Sequence, residues 1–331
     1  MHVRIMAWII SVINFFLCLT PGGLQPRLVK AKFAVLSNPV AGFQTDALLI
    51  WRGGEILHEE YLNGCDENTV HDTSAITRTV LAALVGIAID EGYIKSVDQK
   101  VVDFYPDVAI APGQESKRDM TIGHLLAMTS GIDDTAAVDE FWNAPDLGKV
   151  IFALPQEADP GTKPYFRSYR SATVELLSGL LTRALGGRSA LEYANEKLFG
   201  PLGITNAKWE SNVDGTSRCT VGLSLAPRDM LRFGLLYLNE GNFEGKQIVP
   251  AAWVRQSRPG VRESKDYWDR EAFSNHFYAH EGTSYAARGA GGQFIVIDPD
   301  NNTVIVRTGN EDAELGFFQF ILPLLRILFR G

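Results

Sequence analysis

The stretch His71–Leu84, HDTSAITRTVLAAL, brings a hydroxyl and a basic side chain to the start of an apolar run. Ser74 and Arg78 are spaced i, i+4, so a helix beginning here sets them about one turn apart. A serine hydroxyl is a poor nucleophile at neutral pH and attacks only with a base beside it. Arginine is no such base. Its pKa lies far above neutrality, and each unit of lowering costs about 1.36 kcal/mol, so arginine stays protonated. Ser74 therefore reads either as a helix cap or loop residue, or as a non-standard nucleophile. Ser130 in MTSG is another hydroxyl, placed where a helix stops. The six histidines are scattered and no CxxC or HExxH spacing occurs, so neither a metal site nor a cofactor is expected.

Those residues need a scaffold, and the chain is long enough to build one. Its 331 residues are 46% hydrophobic and 21% charged, a globular balance that fits one large domain or two interleaved subdomains. With 31 basic against 39 acidic residues the net charge is −8, a surface that repels phosphate backbones and excludes nucleic acid as a partner. Three cysteines are too few for a disulfide framework, and pairing of Cys65 with Cys219 depends on a distance the sequence does not contain. Arg4 precedes the apolar run Ile5–Leu19, which Pro21-Gly22-Gly23 breaks. That pattern predicts export, to the periplasm or outside the cell, with a possible membrane tether through the N-terminus. Residues 1–36 are read as a leader or signal anchor and 37–331 as a single domain.

Along the chain, DALLIWRGGEILHEEYL predicts a β-hairpin turning at Gly53-Gly54. Ile76–Ile89 is apolar on most faces and predicts a buried helix. MTIGHLLAMTSGI carries a Thr121 cap, and Thr173–Leu185 and Arg228–Asn239 predict further helices. QFIVID, PDNN and TVIVRT predict a second hairpin, and Leu315–Phe329 a helix packed on the sheet. The expected fold class is α/β (α+β): an antiparallel sheet built from both chain ends and flanked by helices, with an inserted, mostly helical subdomain. The sheet part falls at about 37–66 and 225–331 and the helical part at about 67–224. The crevice between them is the default site.

MTIGHLLAMTSGID, PGTK, YRSATVELLSG, RDMLRFGLLYLNEGNFEGKQIVPAAWV and RGAGGQFIVIDPD together resemble the serine β-lactamase-related hydrolases. Within that superfamily the chain is similar to the branch holding class C β-lactamases, penicillin-binding-protein-like proteins, esterases and 6-aminohexanoate-dimer hydrolases. The likeness runs from about Asp46 to Thr308. It implies a β-lactamase/transpeptidase-like fold and a serine nucleophile activated by lysine in S-x-x-K at the start of the buried helix. Here Ala75 stands at the nucleophile position and Arg78 at the base position. The family's relay tyrosine, in Y-x-N or Y-x-S, matches Tyr169-Arg170-Ser171; a shifted register puts Phe166 there, without a hydroxyl. The H-x-G motif matches Ala290-Gly291-Gly292, so the histidine is lost. By the same resemblance Ser171, Gly291, Gly292 and Gln293 line the ligand, and the oxyanion donors are the backbone N–H groups of Ala75 and Gln293.

Three readings follow. The first is a catalytically impaired hydrolase homologue that still binds a small amide, ester or peptide-like ligand. The second is an active amide or ester hydrolase using Ser74. In the third the protein is structural and the crevice has no role.

Overall fold

A computed structural model describes residues 45–135, 142–162, 171–258, 273–274, 276–279 and 283–309. Its centre is a seven-stranded antiparallel sheet that begins near one end of the chain and finishes near the other. The first two strands are β1 (Thr45–Arg52) and β2 (Glu55–Tyr61), joined by Gly53 and Gly54, both at positive φ as a tight turn requires. Three very short strands follow in the middle of the chain: β3 (His71–Asp72), β4 (Lys208–Trp209) and β5 (Leu223–Leu225). They form a separate small sheet, ordered β3-β5-β4. A minimal hairpin of β6 (Asn242–Phe243) and β7 (Lys246–Gln247) closes the EGNFEGK turn. The C-terminal strands are β8 (Phe273–Ser274), β9 (Phe277–Ala279), β10 (Tyr285–Gly289), β11 (Gln293–Asp298) and β12 (Thr303–Gly309). The order β2-β1-β12-β11-β10-β9-β8 pairs the two chain ends directly, with Leu49 opposite Val306. Both expected hairpins are present.

Seven α-helices are described: α1 (Ile76–Asp90), α2 (Ile122–Leu126), α3 (Leu147–Ala153), α4 (Ser171–Ala184), α5 (Ala190–Ala194), α6 (Pro227–Leu238) and α7 (Ala251–Ser257). α1 is buried from Ile76 to Ala88, as a helix apolar on most faces must be. It packs against α4, α5 and β10, so its first turn lies between the helical region and the sheet. Thr121 caps α2 as expected, its Oγ1 accepting from His124 N–H while its own N–H donates to His124 Nδ1. α4 begins two residues earlier than the apolar pattern predicts. In its first turn the N–H of Ala172 donates to buried Asp134 at 2.8 Å, a partner far away in the chain. α6 lies across β1, β11 and β12 and shares one hydrophobic core with α1.

Cys65 and Cys219 are both free thiols. No helix of the described residues is long and apolar enough to cross a membrane. The leader, Tyr169, Phe166 and the helix expected at Leu315–Phe329 lie outside the described residues.

Candidate active site

The site is built where α1 begins. β3 pairs with β5, and Thr73 then ties the chain to Leu223 O twice, through its N–H at 2.8 Å and its hydroxyl at 2.7 Å. Ser74 turns the backbone with φ +50°, a left-handed conformation unusual for a residue bearing a Cβ. Two contacts hold it there. Its N–H donates to Asp72 Oδ1 at 2.8 Å, and its carbonyl accepts from the Thr77 N–H and hydroxyl. Ala75 follows in helical conformation at the N-cap position and offers no side-chain cap.

Helix capping is therefore not the role of Ser74. Its Oγ instead accepts the N–H of Ala290, at 3.2 Å, from the turn that ends β10. The preceding Gly289 explains how the two segments come so close. A Cβ there would lie 2.2 Å from Thr73 O, so only glycine allows the strand end to meet the helix start. The amide brought to the helix start is that of Ala290, three residues before Gln293. Gln293 begins β11 opposite Gly289 and turns its side-chain amide to Gly309 O. Behind the turn, buried Arg307 donates to Gly292 O at 2.6 Å and to Thr45 Oγ1 at 3.0 Å. Burial brings its guanidinium down to about 10, against the pull of Asp46.

Arg78 lies in the first turn of α1 and is only 5% exposed. Its Nε donates to Thr220 O at 3.1 Å, and the Thr220 hydroxyl donates to Ser171 O at 3.2 Å. Through Thr220 the start of α1 is thus joined to the start of α4, where the Y-x-S motif ends. Glu175, fully buried on α4, fixes Thr220 in turn. It accepts the Cys219 and Thr220 N–H groups at 3.1 and 2.7 Å and the Asn212 amide at 3.1 Å. Burial raises its pKa, while these donors oppose the rise. Beneath Arg78, Thr79 donates to His276 O at 3.1 Å. Burial, and secondarily the Arg78 charge, hold the His276 imidazole down at about 3.

The structure thus brings Ser74, Ala75, Arg78, Ser171 and Ala290 into one region and leaves the Gln293 side chain on the sheet's other business. Ser130 is buried and hydrogen-bonded to Thr173 at 2.6 Å, which makes it a packing residue. Sequence reasoning missed Thr220, Glu175, His276 and Arg307. One signal was visible: Glu175 sits inside an otherwise small and apolar helix, where an acid needs donors. Its donors lie 37 to 45 residues further along the chain. Chemically, the region offers the Ala290 N–H, the Ser74 hydroxyl and the Arg78 guanidinium, with a methyl group at Ala75.

Comparison with known proteins agrees with this architecture. The Beta-lactamase family model matches residues 34–326. The 6-aminohexanoate-dimer hydrolase of Paenarthrobacter ureafaciens is 25% identical over 288 residues, covering 80% of this chain and 72% of its own. Penicillin-binding protein 4 of Amycolatopsis lactamdurans is 25% identical over 310 residues, covering 80% and 78%. Among solved structures, a penicillin-binding protein homologue from Caulobacter crescentus shares the fold with a TM-score of 0.68 at 15% identity, covering 88% of this chain and 94% of its own. The chain belongs to the Beta-lactamase family and has that family's hydrolase fold.

Proposed function

We propose that the protein is a β-lactamase-fold hydrolase homologue that has lost turnover and keeps a crevice for an amide, ester or peptide-like carbonyl. One observation carries this reading. The chain enters α1 with a methyl group at Ala75 and a permanently charged guanidinium at Arg78, where the family chemistry needs a hydroxyl and a titrating amine. Tyr169 is then the retained relay, and Ser171, Gly291, Gly292 and Gln293 line the ligand. The oxyanion donors are the N–H groups of Ala75 and Ala290. Counting back from Ala290 moves the H-x-G motif to Ala287-Arg288-Gly289, whose glycine falls where only glycine fits. The histidine position is alanine in either register.

One contact favours the second reading, turnover through Ser74: its hydroxyl faces the Ala290 amide. Intact mass after incubation with a fluorophosphonate or a β-lactam separates the two. No stable adduct is expected; a stoichiometric increase mapped to Ser74 would establish Ser74 as a nucleophile. Retained binding is tested with the 6-aminohexanoate dimer, the amide for which one relative is named. A saturable rise in melting temperature is expected, and its absence would leave the crevice without this ligand class.

A further inference from the structure

In a hydrolase site of this kind the amide at the end of the strand is left open for the substrate's oxygen. Here the chain satisfies it internally. We propose that Ser74 is a built-in occupant of the oxygen-binding slot, so that a carbonyl or carboxylate ligand binds only after the Ser74 hydroxyl rotates away from the Ala290 amide. The proposal rests on the reading of the crevice as a carbonyl-binding site.

Three observations carry it. The Ala290 N–H points at Ser74 Oγ, and the two are 3.2 Å apart. Ser74 is half-buried and is held at φ +50° by Asp72 Oδ1 and Thr77, which aims its side chain across the helix start towards the strand. Both walls of the slot are fixed. On one side Thr73 is tied to Leu223 O; on the other Arg307 grips Gly292 O, two residues beyond Ala290. The walls are also in contact, since no Cβ fits at Gly289. With the backbone on both sides held, the opening move is rotation of the Ser74 side chain about χ1 between staggered wells. The ligand it admits accepts a hydrogen bond through a planar oxygen, as an amide carbonyl or a carboxylate does.

The test uses the parent chain, Ser74→Ala and Ser74→Gly; the glycine variant also tolerates the positive φ, which guards against misfolding of the alanine variant. Hydrogen exchange of the Ala290 amide is expected to quicken about three- to tenfold in both variants, the span of one net hydrogen bond. The 6-aminohexanoate dimer is expected to bind the variants tighter by a similar factor. Unchanged exchange at Ala290 would overturn the proposal whether or not any ligand binds. Weaker binding to the variants would also overturn it, because the hydroxyl would then be helping to hold the ligand. Faster exchange with no binding to any of the three proteins would uphold the internal contact and refute the carbonyl-binding reading on which the gating role depends.

Discussion

A nucleophile without a base and a base without a nucleophile are equally inert, so Ala75 and Arg78 regain function only together. Arg78→Lys alone has nothing to activate, and its ammonium keeps Thr220 O within reach as an acceptor. Ala75→Ser alone sets a hydroxyl beside a guanidinium, which supplies no base. The double variant is expected to hydrolyse an activated short-chain ester measurably faster than the parent, with each single variant within about twofold of it. Equal rates for all four folded proteins would mean that the crevice has drifted beyond rescue. Ser74 marks where reading residue by residue stops. Its type favours a cap, yet the cap position falls on Ala75, and a backbone amide 216 positions later takes the hydroxyl.

At the scale of elements, α1 was legible because an apolar residue on every face leaves a helix only one place to go. The start of α4 was not, because an N–H of its first turn finds its acceptor in Asp134, 38 residues upstream. The segment 212–220 depends on α4 in the same way. Glu175 satisfies two of its backbone N–H groups and shares the Asn212 amide with Thr216 Oγ1 inside the core, so Glu175→Ala would leave two buried backbone donors without that acceptor and Asn212 with one bond fewer. The expected loss is on the order of 3 kcal/mol or more in denaturant unfolding, with faster amide exchange at Cys219 and Thr220. Glu175→Gln keeps one acceptor oxygen and is expected to lose less. A Glu175→Ala variant as stable as the parent would mean that 212–220 is held by other contacts.

For the whole molecule, buried histidine couples stability to pH. The His276 imidazole stays neutral in the folded chain down to about 3, whereas the unfolded chain takes up that proton below about 6.5. Its contribution to stability is complete above pH 6.5 and is lost as the pH falls towards 3, by up to about 1.4 kcal/mol per unit. Denaturation midpoints are expected to drop between pH 7 and 4.5, and to drop less steeply for His276→Gln. Parallel slopes in the two proteins would assign the acid sensitivity to other groups. The sequence by itself determined the two hairpins, the buried α1, the Thr121 cap and the family motifs. The hairpins, the helix and its cap are encoded by periodicity and turn residues close together in the chain, and the motifs are read by resemblance. Only the tertiary structure decided which amide meets the helix start, what Ser74 bonds to, and how Arg78 reaches α4 through Thr220. Those depend on backbone segments far apart in the chain meeting within about 3 Å, as a hydrogen bond requires, and local pattern carries no record of such meetings. Gly289 shows the difference most plainly: in the sequence it is one glycine of several, and in the fold it is the point where strand and helix touch.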